Sequence, residues 1–350
     1  MKTTFIIGAG ASKEVNLPTG DELKAKIAEL LDIRFDFNQR VSGDNTIEQA
    51  LRIWVSKNPN PGEDKSINPY LKEAWHIRDS LPLAISIDNF VDSQRGNEKL
   101  SVCAKMAIIV SILEAERESK LYFDQYNGEN TIDSSSIQDT WYRPLFQILT
   151  ENCTFSDLPE RLKSVSFIIF NYDRCIEHFL FHAMRDYYRI SDKDAADLIN
   201  QIEIFHPYGS IGSLPFTGNE SPISFGQEIL ASQLVDSIAR IRTFTEGVNH
   251  ESSNPDTIGD SVHSCSKSIF LGYAYHKLNM ELLKESKLSE GNKCCMKKKC
   301  FGSAYEVSSP DRLFIESQIN NLFHYGQNEV LLSNATCFGL FKEFGRSLSF

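Results

Sequence analysis

FIIGAGAS (residues 5–12), FIIFNYD (167–173) and IEIFHPYGS (202–210) each run an apolar strand directly into a small polar motif. Near-continuous apolar runs are the mark of strands buried on both faces of a parallel sheet. In open α/β sheets, ligands bind outside the carboxyl ends of the strands, so the polar residues that follow these three strands are expected to converge on one site. The fold expected is therefore α/β, with a Rossmann-like parallel sheet.

Outward from these motifs, DELKAKIAELL (21–31) carries Leu23, Ile27, Leu30 and Leu31 at helical spacing. TIEQALRIWV (46–55) places Ile47, Leu51, Trp54 and Val55 on one face, and KLSVCAKMAIIVSILEAE (99–116) aligns Val102, Met106, Ile109 and Leu113. No comparable strand pattern separates them. Residues 32–160 thus read as a large, mainly helical insertion, broken by the polar loops 58–66 and 125–136. The core is expected to comprise residues 1–31 and 161–350.

That second half alternates as an α/β sheet does. A strand at 166–170, a helix at 174–188, a strand at 202–205, a helix near 227–242 and a strand at 268–274 succeed one another. The polar stretch 246–261 reads as a mobile surface loop and 313–323 as a closing helix, while the segment after it gives no clear pattern.

Composition sets further bounds. With 41% hydrophobic and 24% charged residues the chain is ordinary globular material, without an apolar run long enough to span a membrane. The N-terminal strand leads straight into glycines and is too short for a secretory signal, so a cytoplasmic location is expected. A net charge of −11 argues against a surface broadly adapted to nucleic acid. Lys293, Lys297, Lys298 and Lys299, interspersed with Cys294, Cys295 and Cys300, read as a solvated charge run in a loop. The eight cysteines read as free thiols, and no second CxxC completes a four-ligand zinc site; no metal is expected.

Gly8, Ala9, Gly10, Ala11 and Ser12 come directly after a strand, where glycine lets the backbone approach a pyrophosphate and a helix N-terminus faces it. Lys13 stands where the third glycine of GxGxxG would fall, so the motif alone is weak. Asn171 and Asp173 also suit helix N-caps, and His206, held extended by Pro207, also suits a structural hydrogen bond.

Taken together, GAGAS (8–12), NYD (171–173), HPYG (206–209) and GYA (272–274) resemble the sirtuin superfamily in order and wording. The resemblance covers the core and leaves the insertion unexplained. It implies that the glycine loop holds the pyrophosphate of NAD, with Ser12 near ribose or phosphates. It implies Asn171 at the nicotinamide ribose, Asp173 at the carboxamide, and Gly272 and Tyr273 along the adenosine half. A histidine in the family accepts a proton near the ribose. His206 is the expected base, with Tyr172, Tyr208 and Gly209 lining the site; anchored on the Gly-Ser pair after it, Tyr208 takes the histidine's place instead.

The four-cysteine ribbon of the protein deacylases is missing, and Pro18, Thr19, Gly20 and Asp21 replace their Pro-x-Phe-Arg. The chain is more similar to the sirtuin-like NAD hydrolases of bacterial anti-phage defence. That similarity implies cleavage of NAD, as substrate, to nicotinamide and ADP-ribose by a toxic effector kept in check until activated. It also implies a homo-oligomer or a partner such as a HerA-type ATPase. An NAD-dependent deacylase and a non-catalytic NAD or ADP-ribose-binding subunit are the alternatives.

Overall fold

The computed structural model describes residues 2–37, 39–59, 65–124, 130–218, 221–242, 255–284, 298–323 and 328–350. Lys293, Cys294, Cys295 and Lys297 lie outside them, as do residues 246–254 of the polar stretch. Strand β1 is Thr3–Ile7, and β2 (Arg34–Asp36) and β3 (Gln39–Ser42) form a separate antiparallel hairpin. The remaining strands are β4 (Val165–Ile169), β5 (Glu203–Phe205), β6 (Lys267–Leu271), β7 (Lys299–Ser303) and β8 (Glu329–Ser333). With β1 they form one all-parallel sheet in the order β5-β4-β1-β6-β7-β8. Counting only its own strands in chain order, this is 3-2-1-4-5-6, the Rossmann-like arrangement, whose topological switch point lies between β1 and β6.

Register aligns the ends of the central strands. Ile7 pairs with both Ile169 and Leu271, so β1, β4 and β6 end at one level and release their polar motifs side by side. Along each strand, side chains alternate between faces. Ile6, Ile168 and Phe270 enter one hydrophobic cluster with Ile47, Leu51, Met106 and Ile109 of the insertion. Phe5, Ile7, Phe167, Ile169 and Leu271 enter the other, with Trp141, Leu145, Phe179 and Leu340. The insertion is therefore layered onto the sheet, its helices Asn45–Lys57 and Glu98–Arg117 on one face and Tyr142–Thr150 on the other. Each such large apolar side chain contributes roughly 1.5–3 kcal/mol on full burial.

Several elements differ from the sequence reading. The helix expected near 227–242 is shorter, Ala231–Ser237 with a single 3-10 turn after it. Within the stretch read as a mobile loop, residues from 255 onward form the helix Pro255–Ser264. The end of the chain supplies β8 and the helix Cys337–Leu348. Lys298 is not a solvated charge: it is buried, and its ammonium donates to Val262 O and Cys265 O at 3.0 Å and to His263 O. A cation there satisfies orphan carbonyls at the C-terminus of the helix Pro255–Ser264. Lys299 and Cys300 open β7 and do not lie in a loop. No helix among the described residues is long and apolar enough to cross a membrane.

Candidate functional site

At the switch point the chain comes closer to itself than side chains allow. Gly272 has φ +53, and a Cβ on it would lie 2.0 Å from the Ala11 nitrogen; a Cβ on Gly8 would lie 2.5 Å from Gly272 O. The glycines at 8 and 272 thus let the end of β6 nest against the loop after β1. Gly10 N–H donates to Gly272 O at 3.0 Å, Gly8 N–H to Leu271 O at 2.9 Å and Ala11 N–H to Gly8 O at 3.0 Å. These donors are engaged within the protein, so the loop does not present them as a ring of free N–H groups. Trp141, fully buried, donates from its indole to Ala11 O at 2.8 Å and anchors the loop from behind.

Above this junction opens a cavity of about 460 Å³, a volume in the range of small-molecule and cofactor sites. Gly8, Ala9 and Gly10 form part of its wall, with Asn171, Tyr172 and Asp173 from the end of β4 and Gly272 and Tyr273 from the end of β6. Thr19, Gly20 and Asp21 bring the N-terminus of the helix Gly20–Leu30 to it, closed by a capping box in which Glu22 accepts from Thr19 N–H at 2.8 Å. The positive end of that helix dipole faces the space. Among the described residues, the carboxyl groups along the wall are those of Asp21, Asp88 and Asp173, and neither Lys nor Arg lines it.

Ser12 links two of the motifs. Its hydroxyl donates to Asp173 Oδ2 at 2.9 Å and accepts from Asn171 Nδ2 at 3.1 Å, while Asp173 Oδ1 accepts from Cys175 N–H at 3.2 Å. The chain Cys175–Asp173–Ser12–Asn171 fixes the Asn171 amide at the cavity wall. Burial raises the Asp173 pKa, opposed by the bonds from Cys175 and Ser12. Ser12 and Ala11 are themselves buried and do not line the cavity; the Ser12 hydroxyl orients Asn171 and Asp173 from beside it.

His206, Tyr208 and Gly209 do not line the cavity. The His206 imidazole pairs through Nε2 with Glu177 Oε1 at 2.7 Å, and Nδ1 lies 3.4 Å from Asn171 O. Burial alone would lower its pKa, but the Glu177 charge and hydrogen bond and the Asn171 carbonyl outweigh it and hold the pKa above the ordinary value. Held between Glu177 and the Asn171 carbonyl, the ring packs against the Asn171 backbone and does not line the cavity. Tyr208 donates to Asn279, which lines the cavity, and burial pushes its pKa up. At Gly209, φ is +74 and a Cβ would lie 1.9 Å from Arg240 O, so its glycine serves the packing of residues 240–242.

The wall also holds a residue that no sequence motif announced. Asp88, on the short helix Ile87–Ser93 of the insertion, lines the cavity and accepts a hydrogen bond from the Tyr172 hydroxyl. Asp88 is half-buried, and desolvation of its carboxyl lifts its pKa to about 6, the Tyr172 bond pulling the other way. His276 stands exposed at the rim. Among the described residues no group of three or more His, Cys, Asp or Glu is placed to hold a metal ion.

The chain matches no protein-family model, and no curated protein is similar to it in sequence.

Proposed function

We propose that this cavity binds NAD and hydrolyses the bond between nicotinamide and ribose. The observation that carries the reading is the meeting of the glycine loop, Asn171, Asp173 and Gly272 around one cavity at the switch point of a Rossmann-like sheet. A wall of small residues at Gly8, Ala9 and Gly10, together with the N-terminus of the helix Gly20–Leu30, suits a pyrophosphate. A wall that, among the described residues, bears carboxyl groups and neither Lys nor Arg suits the nicotinamide riboside end of NAD, whose pyridinium is cationic before cleavage and whose ribose becomes oxocarbenium-like during it.

Nicotinamide leaves as a neutral base, so no general acid is required. The protein's task is to hold the ribose and a water in line, and the Asn171 amide, fixed through Ser12 and Asp173, is oriented for it. The products are nicotinamide and ADP-ribose. A chain with this activity, similar to the sirtuin-like defence hydrolases, acts as an NAD-depleting effector against phage, restrained by self-assembly or by a partner such as a HerA-type ATPase.

Chromatography of nicotinamide released from NAD by the purified protein tests this. Release by the native chain and its loss in Asn171→Ala, with the fold retained, is the expected result. One observation favours a second reading, a subunit that binds NAD or ADP-ribose without cleaving it: His206 does not line the cavity. Tight binding of NAD with no turnover under any activating condition would favour that reading.

A further inference from the structure

We infer that Asp88 is the general base of the site, taking a proton from the water that attacks the ribose, so that the insertion and the core each supply part of the catalytic apparatus. The inference rests on the NAD-cleaving reading and adds to it the group that reading lacks. His206 does not line the cavity and is paired with Glu177, whereas Asp88 lines the same cavity as Asn171.

In the reaction, water oxygen bonds to C1′ of the nicotinamide ribose as the C1′–N bond breaks. That bond's electron pair passes to the pyridine nitrogen, and the water proton passes to Asp88 and then to solvent. ADP-ribose and nicotinamide account for every atom. A carboxylate poised near neutrality suits the step, because a base works best when its pKa lies near the working pH.

The groups facing Asp88 are few. Tyr172 donates to it from the loop after β4. Tyr208, from the loop after β5, lies close enough for Asp88 and Asp92 to raise its own pKa. Asp92 shares the helix Ile87–Ser93, and Asp21 and His276 lie elsewhere on the cavity wall. Among the described residues the side-chain hydrogen bond to Asp88 comes from the Tyr172 hydroxyl, which, with a backbone N–H, stabilises the ionised carboxylate. The same contact ties the base to the NYD motif, so an insertion lifted from the core would leave Asn171 without its base.

The test compares the native chain with Asp88→Asn, Asp88→Ala and Tyr172→Phe. Asp88→Asn is expected to keep NAD affinity, measured by calorimetry, and to lose turnover at least ~100-fold. Native kcat is expected to rise with pH through about 6, the ionisation of Asp88. In Tyr172→Phe that limb moves to higher pH, a displacement that a purely structural role would not produce. Sodium azide, a nucleophile with no proton to lose, is expected to restore nicotinamide release to Asp88→Ala and to form ADP-ribosyl azide. Undiminished turnover in Asp88→Asn, or an acid limb unmoved by Tyr172→Phe, overturns the inference. If the native chain neither binds nor cleaves NAD, the underlying functional reading fails instead.

Discussion

The guanidinium of Arg174 and the carboxylate of Glu116 form a bidentate ion pair, at 3.1 Å through Nε and 2.6 Å through a terminal nitrogen. Exposure is 2% for Arg174 and 0% for Glu116. Arg174 comes directly after the NYD motif, and Glu116 lies in the last turn of the insertion helix Glu98–Arg117. Remaining donors and acceptors are also met: Arg174 donates to Ile223 O at 2.6 Å, and Glu116 accepts from Gly226 N–H at 3.0 Å. This pair clasps the insertion to the end of β4.

Breaking the pair leaves a buried charge without its counterion, which costs about 3–5 kcal/mol. Glu116→Ala and Arg174→Ala are each expected to lose that much stability in denaturant unfolding. Their combination is expected to lose less than the sum of the two, because the residues share one interaction.

Gly20 and Gly272 both line the cavity but for different reasons. A Cβ on Gly20 meets no protein atom within 4 Å, so Gly20→Ala is expected to stabilise the helix Gly20–Leu30 by about 0.5–1 kcal/mol. If the space there belongs to a phosphate, NAD affinity falls in the same variant. Gly272→Ala is expected to cost about 3 kcal/mol or more, through its left-handed backbone and its clash with the Ala11 nitrogen. Thermal unfolding and calorimetry separate the two effects.

His182, buried beside Phe123 and Phe181, has its pKa lowered from 6.5 to about 4, chiefly by burial and next by Arg185. Above pH 6.5 the imidazole is neutral in both states and costs nothing. As pH falls from 6.5 to 4, the unfolded chain takes up a proton that the native state refuses, so about 3 kcal/mol of stability is lost. His182→Phe is expected to flatten this limb of a stability–pH profile. An unchanged slope would show that His182 is solvated in solution.

Asp88 acts in the opposite sense. Its pKa rises from 3.8 to about 6, so the native state keeps a proton that the unfolded chain releases, and stability falls as pH rises through that window. The cost at neutral pH is about 3 kcal/mol. Asp88→Asn is expected to be the more stable protein at pH 7 and the less active one, as when a strained site is relieved.

Much of this was legible in the chain itself. FIIGAGAS and FIIFNYD announced β1 and β4 because strands buried on both faces are apolar throughout, and GAGAS and NYD marked residues that do meet across Ser12. The strand KCFGS was not legible, since lysine and small residues gave it no apolar run, and the ammonium of Lys298 satisfies helix carbonyls that only the fold brings near. Asp88 was hidden for a related reason. It sits in a seven-residue helix with no long periodic pattern, and its significance comes from Tyr172, 84 positions away. His206 was legible in part: the motif order located it beside Asn171, where it lies, but its partner Glu177 is on the helix Cys175–Tyr188, and only the fold reveals that pairing.

The central claim is most directly tested by a crystal structure of the native chain with a non-cleavable carbocyclic NAD analogue. The account predicts the pyrophosphate over Gly8 and Gly10 and near the N-terminus of the helix Gly20–Leu30, with the nicotinamide-bearing ring between Asn171 and Asp88. An analogue bound elsewhere, or with its nicotinamide end turned away from Asn171, would contradict it.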